Sequence, residues 1–208
     1  MSVLSELFSR ISRYLEQRHI RKAEEEERKR KAWEKRREEE RKEYERQQRM
    51  YRRGNDFEDY VIGMFDPERF DLIHRTPTND DTNGRFVHSM VYPDLRFRER
   101  STGRRFWVEV KFRSHTEDRG SITWCSDNQL RNYKRTMYES RDPVFIMIGL
   151  GGTTQDPDKV FCLDLARINF TTLFYNTYAH NRVYSEQIGS LEQLMAIASM
   201  DQTSSAHH

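Results

Sequence analysis

The sequence predicts an α/β sandwich built on a mixed central sheet and preceded by a long charged helix. Three observations lead there. Val144 to Leu150 is an unbroken apolar run, as expected of a strand buried on both faces. The segment LRFRERSTGRRFWV alternates apolar and polar residues on either side of Ser101-Thr102-Gly103, the period of two paired strands and their turn. From Arg21 to Arg53 almost every residue is charged or a good helix former, with no Gly or Pro.

Along the chain, Val3, Leu4, Leu7, Phe8, Ile11, Tyr14 and Leu15 make one apolar stripe at helical spacing. The charged stretch follows, with Glu24/Arg28, Glu25/Lys29, Glu26/Arg30 and Glu27/Lys31 four apart and the acid first. It predicts a solvated helix roughly 50 Å long at 1.5 Å per residue. Trp33, Tyr44 and Tyr51 are too sparse for a strong heptad seam, so a long coiled coil is not secured. Asp56 to Phe65 predicts a second helix through Phe57, Tyr60, Val61 and Met64, ended by Pro67. Phe70 to Ile73 reads as a strand and Thr76 to Gly84 as a loop. The hairpin comes next, its first strand running to about Arg100 and its second from Arg104 to Arg113. Ser121 to Cys125 is a short extended piece, and Ser126 or Asp127 caps a helix to about Glu139. After the apolar run, Gly151-Gly152 to Asp158 turns and Lys159 to Leu165 pairs back. Ser190 to Met200 reads as a short helix. The expected order is α-β-β-β-α-β with an extra strand, in a domain spanning 54–200, with 1–53 a separate helical part and 201–208 a frayed tail.

The hairpin carries the chemistry. Phe106, Val108, Val110 and Phe112 share one face of its second strand; Trp107, Glu109, Lys111 and Arg113 share the other. Asp94, fifteen residues before Glu109, falls on the face of Glu109 and Lys111. Two carboxylates and a lysine are the parts needed to hold a divalent metal and activate a water. Mg²⁺ prefers oxygen ligands, and Asp94, Glu109 and the carbonyl of Val110 can supply them. Lys111 can position the water and stabilise developing charge. Glu-x-Lys alone is common on solvated strands; Pro93-Asp94 at hairpin distance is what gives it weight.

Tyr92-Pro93-Asp94 followed by Glu109-Val110-Lys111 resembles the PD-(D/E)XK nuclease superfamily, whose fold is the restriction endonuclease-like one. Gly54 to Val61 looks like that family's first helix with its acidic residue, here Glu58. Gln129-Leu130-Arg131-Asn132-Tyr133 is similar to the Gln-x-x-x-Tyr element of its second helix. The four elements stand in the family's order between Gly54 and Leu165. The resemblance implies a Mg²⁺- or Mn²⁺-dependent nuclease acting on nucleic acid, with DNA the expected substrate. It implies Asp94 and Glu109 as metal ligands, Lys111 as the catalytic lysine and Glu58 as a carboxylate near the metal, directly or through water. Gln129 would help place the scissile phosphate or the water, and Tyr133 would contact the nucleic-acid backbone. Arg96, Arg98, Arg113, Arg131 and Lys134 are the cations expected to neutralise phosphates.

Charge divides unevenly. Residues 1–53 carry a balance of +6 and residues 54–208 one of −4. Affinity for nucleic acid would therefore come from a local patch, or from the charged helix gripping a duplex. That helix can equally be a spacer. The stripe in residues 1–20 can form a homodimer, dock on its own domain or lie on an anionic membrane surface. Two cysteines, Cys125 and Cys162, give no metal-ligand spacing and no disulfide framework, which points to a reducing, cytoplasmic setting. No stretch reads as a secretory signal or a bilayer span. His74, His88 and His115 lie near the hairpin in sequence, and His115 is the nearest to its second strand. Two other classes compete with a nuclease: a catalytically silent binding module on the same fold, and an adaptor working through its N-terminal helix.

Overall fold

The computed structural model describes residues 3–76, 91–184 and 187–200, and gives only the backbone course for 3–9 and 47–53. Its elements in chain order are α1 (Val3–Met64), β1 (Phe70–Arg75), β2 (Leu95–Glu99), β3 (Arg105–Arg113), β4 (Ile122–Thr123), α2 (Asp127–Ser140), β5 (Val144–Leu150), β6 (Lys159–Asp164), β7 (Thr172–Leu173), α3 (Tyr175–Tyr178) and α4 (Leu191–Ala198). The chain divides into two compact units, Met1–Met50 and Tyr51–His208.

In the first unit the helix surface is charged and exposed. Glu25–Lys29 and Glu27–Lys31 pair at 2.7 Å as the spacing predicts, while Arg30 reaches forward to Glu34. Such exposed pairs are screened by solvent and contribute little to stability. Ile11, Tyr14 and Leu15 are exposed; the rest of the predicted apolar stripe lies outside the described side chains. Among the described residues, no helix is long and apolar enough to cross a membrane.

In the second unit, a mixed five-stranded sheet has the order β1-β2-β3-β5-β6. β1, β2 and β3 are successively antiparallel, β3 and β5 are parallel, and β6 returns antiparallel to β5. The parallel step is bridged by the segment containing α2, because parallel neighbours need a long crossover. β4 and β7 form a separate two-stranded sheet. On one face of the large sheet, Phe97, Phe106, Val108, Phe145 and Met147 pack with Phe57, Val61 and Met64 of α1 and with Leu191 and Leu194 of α4. On the other, Trp107, Val144, Ile146 and Ile148 pack with Ile122, Trp124, Tyr133 and Tyr178. The result is three layers. β5 is apolar throughout because it is central and covered on both sides, each large aliphatic there contributing roughly 1.5–3 kcal/mol of burial.

Three local differences from the sequence reading have physical causes. The predicted break near Gly54 is absent, and α1 runs through it. A lone helical Gly costs only about 1 kcal/mol, offset here by burial of Phe57, Val61 and Met64. β1 extends two residues past Ile73, held by pairing of His74 with Arg96 and Arg75 with Leu95. β7 and α3 were not foreseen; both are too short to leave a periodic signal. The predicted loop Thr76–Gly84 falls almost wholly outside the described residues, as do His88 and the tail 201–208.

Two points fix how closely the layers approach. A Cβ on Gly149 of β5 would lie 2.5 Å from the Phe57 ring, so this strand position accepts no side chain while α1 stays where it is. α2 begins on a capping box between Ser126 and Gln129 and ends at Arg141 in the left-handed region (φ 56°). Asp142-Pro143 then leads directly into β5.

Candidate active site

Strand register builds the site. Leu95 lies opposite Val108, so the residue before β2, Asp94, comes alongside Glu109 and Val110. Asp94 Oδ2 accepts the Val110 N–H at 2.8 Å. An extended residue presents its N–H and C=O to the same edge, so the Val110 carbonyl faces the same side. Thr76 ties this corner down: its N–H donates to the Asp94 carbonyl at 2.7 Å and its hydroxyl to the Pro93 carbonyl at 2.8 Å.

Glu109 and Lys111 project from the face of β3 that α2 covers. Glu109 is fully buried. Its Oε1 accepts from Tyr133 of α2 at 2.6 Å and pairs with the Lys111 ammonium. Its Oε2 is buried with no hydrogen-bond partner. A buried carboxylate oxygen left unmatched is costly. Burial and then the nearby Asp94 carboxylate push the Glu109 carboxyl up to about 8, against the pull of Lys111 and Tyr133. Burial works against the charge on Lys111, but Glu109 and Asp94 outweigh it and hold the ammonium above its ordinary range. Burial, then Glu109 and Asp94, raise the Tyr133 phenol, which stays a neutral donor.

Glu58, on α1, is nearly buried. Its carboxyl is pushed up to about 7, by burial first and then by Asp94, with Arg75 opposing. Arg75 Nε donates to Glu58 Oε2 at 2.8 Å, and its Nη1 donates to Asp59 at 2.7 Å. Arg75 lies two residues past Ile73, where the sequence reading ends the strand, and the register shift between Leu72 and His74 breaks the alternation that would have pointed to it.

The remaining predicted residues have structural partners. Gln129 is exposed at the third position of α2, and its Oε1 accepts the Ser126 N–H at 3.0 Å; the helix cap accounts for it. Tyr133 is buried and gives its hydroxyl to Glu109, so it forms the wall of the site rather than an outer contact. Arg96 pairs with buried Asp142 and lies over the Trp107 ring, 4.9 Å from its centroid. Arg98 and Arg100 share Asp71 at 2.6 and 2.8 Å. Arg113 donates to the Thr123 carbonyl at 2.7 Å, Lys134 to the Leu165 carbonyl at 2.6 Å, and Arg131 to Asn128. Most of the expected phosphate-binding cations are thus engaged within the domain. His74 is held below its ordinary pKa by burial and by Arg96. His115 meets Ser114 at 3.0 Å beyond the end of β3.

The donor set suits a hard divalent cation in one respect. Asp94 and the unmatched Oε2 of Glu109 offer carboxylate oxygens, and a cation close to both would relieve the raised Glu109 carboxyl. Mg²⁺ is commonly bound by one or two carboxylates with the rest of its shell water. Among the described residues, no three His, Cys, Asp or Glu side chains come together as a metal-binding group. Glu58 is turned to Arg75. The fit is therefore a two-carboxylate one. The chain matches no protein-family model and no curated protein sequence.

Proposed function

We propose that this protein is a metal-dependent nuclease of the PD-(D/E)XK type that hydrolyses phosphodiester bonds, with DNA as its substrate. The observation that carries the reading is the fully buried Glu109, with one oxygen unmatched, set beside Asp94 and Lys111. The order of α1, the three antiparallel strands, α2 and the parallel β5 supports the same reading, since the family has that order.

Asp94, Glu109 and the Val110 carbonyl would hold Mg²⁺ or Mn²⁺. When bound, the cation supplies a Lewis acid that offsets phosphodiester charge and lowers the pKa of a water. The chain's own groups do the rest. The Val110 N–H fixes the Asp94 carboxylate. Tyr133 fixes Glu109 and keeps it oriented. Lys111, charged at any working pH, stabilises negative charge that grows on the phosphate oxygens. The cover of α2 excludes bulk water and strengthens each of these interactions. Glu58, held by Arg75, adds a carboxyl poised near neutrality at the edge of the site.

A second reading draws on a different observation. Lys111 already pairs with Glu109 and Arg75 with Glu58, so two of the site's carboxylates have a cationic partner without a metal. That favours a module that holds nucleic acid without cutting it. The deciding experiment is cleavage of supercoiled plasmid, linear duplex, branched junction, single-stranded DNA and RNA with Mg²⁺, Mn²⁺ or EDTA. Metal-dependent cleavage that disappears in Lys111→Ala and Glu109→Ala supports the nuclease. No cleavage by the folded, metal-supplied protein supports the binding module.

A further inference from the structure

Past the end of β3 the chain enters a cavity of about 480 Å³, lined in part by Ser114 and His115, three and four residues beyond Lys111. Its size is in the range of small-ligand pockets, roughly 300–1,000 Å³. Its described lining contains Lys159, Arg182 and His115 but no carboxylate. Aromatic rings make up much of the remainder. Tyr184 is 80% exposed and Tyr175 57% exposed, while Phe161 forms part of the floor. The Arg182 guanidinium lies over the Tyr184 ring, 5.1 Å from its centroid, which keeps cation and ring together at the rim.

Other cavities have a different character. The one beside Trp107 carries Glu139, and its Arg96 is already bound to Asp142. The groove at Phe170 and Phe174 carries Asp127. Lys159 and Arg182, with no acid among the described lining residues and exposed rings beside them, fit a ligand that is both anionic and flat. A nucleotide has those properties, and only an unpaired one exposes the face of its base. Base stacking on aromatic rings, with backbone phosphates on neighbouring cations, is how single strands are held without sequence preference.

We propose that this cavity binds one or two unpaired nucleotides of a nucleic-acid strand that continues from the Asp94–Glu109–Lys111 site. The inference rests on the nuclease reading for its substrate class and adds a preference for substrates with an unpaired segment beside the cut.

The test uses the full chain in EDTA, so that binding is read without cleavage. Fluorescence anisotropy compares a short single-stranded oligothymidylate, its uridylate counterpart and a blunt duplex. At least one single strand should bind more tightly than the duplex. Tyr184→Ala and Lys159→Gln should each weaken it by about tenfold, and the lysine change should also flatten the salt dependence. Tyr138→Ala, exposed on α2, is the control and should change nothing. Both Tyr184 and Lys159 are exposed, and unchanged circular dichroism confirms that their variants fold. The proposal is overturned if no single strand exceeds the duplex, or if both variants bind as the parent does. Loss of single-strand binding in these variants, in a protein that cuts nothing, would leave the cavity standing and remove the nuclease. Cleavage by a protein whose single-strand binding ignores both substitutions would do the reverse.

Discussion

Tyr133 donates its hydroxyl to Oε1 of Glu109 at 2.6 Å, across the boundary between α2 and β3. Both groups are buried, so the bond sets the orientation of a carboxylate whose other oxygen has no partner. One phenol thereby couples the helix to that carboxylate. Hydrogen bonds to a ligating carboxylate are worth about 10–100-fold in metal affinity.

Tyr133→Phe should keep the ring's packing against Trp124 and lose only that bond. Mg²⁺ affinity should fall by at least tenfold, measured by isothermal titration, with little change in melting temperature. A variant that binds Mg²⁺ as tightly as the parent would remove Tyr133 from the site.

The metal-free protein should lose stability as pH rises. Glu109 and Glu58 are pushed up to about 8 and about 7, from an ordinary value near 4.5. Between those limits the folded state holds protons that the unfolded chain has released, so unfolding gains on folding with every step upward. Lys111, held above its ordinary range, stays charged across this window. The melting temperature in EDTA should fall by at least ~5 °C from about pH 5 to about pH 9. Glu109→Gln should flatten the fall, and Mg²⁺ should restore stability mainly at the alkaline end. A pH-independent melting temperature in EDTA contradicts this.

Gln129 separates capping from substrate contact. Gln129→Ala should cost about 1 kcal/mol by removing half of the capping box, whereas Gln129→Glu retains the box. If capping is its whole role, the glutamate variant cleaves as the parent does. A glutamate variant that folds normally and fails to cut would return Gln129 to the substrate.

Asp142 is buried and engages Arg96, with Arg105 at 3.8 Å. Asp142→Ala leaves a half-buried guanidinium without its anion and should destabilise by about 3 kcal/mol in chemical denaturation. Arg96→Met leaves buried Asp142 only Arg105, at 3.8 Å, so it should destabilise by a similar amount, while nucleic-acid affinity stays within about twofold because Arg96 serves Asp142. A tenfold loss of affinity in Arg96→Met would instead make it a phosphate contact.

The parts legible in the sequence were those governed by short-range periodicity. The hairpin, the buried β5 and the shared face of Asp94, Glu109 and Lys111 all follow from alternation over a few residues. What lay hidden depended on partners distant in sequence. The arginines looked free because Asp142 and Asp71 stand 46 and 27 residues from Arg96 and Arg98. The polar face of β3 looked open because nothing local announces that α2 covers it, burying Glu109 and Tyr133. Gly54 looked like a joint because helix propensity is blind to the packing of Phe57, Val61 and Met64. β7 and α3 are held by their surroundings and carry no pattern of their own.

The contact between Gly149 and the Phe57 ring has a consequence for ancestry. The two positions cannot vary independently: a descendant that gains a methyl at 149 must shrink or shift the residue at 57. Glu58 is the next residue, so such a lineage would also redraw the reach of that carboxyl. A side chain at 149 should therefore be found only together with a change at 57.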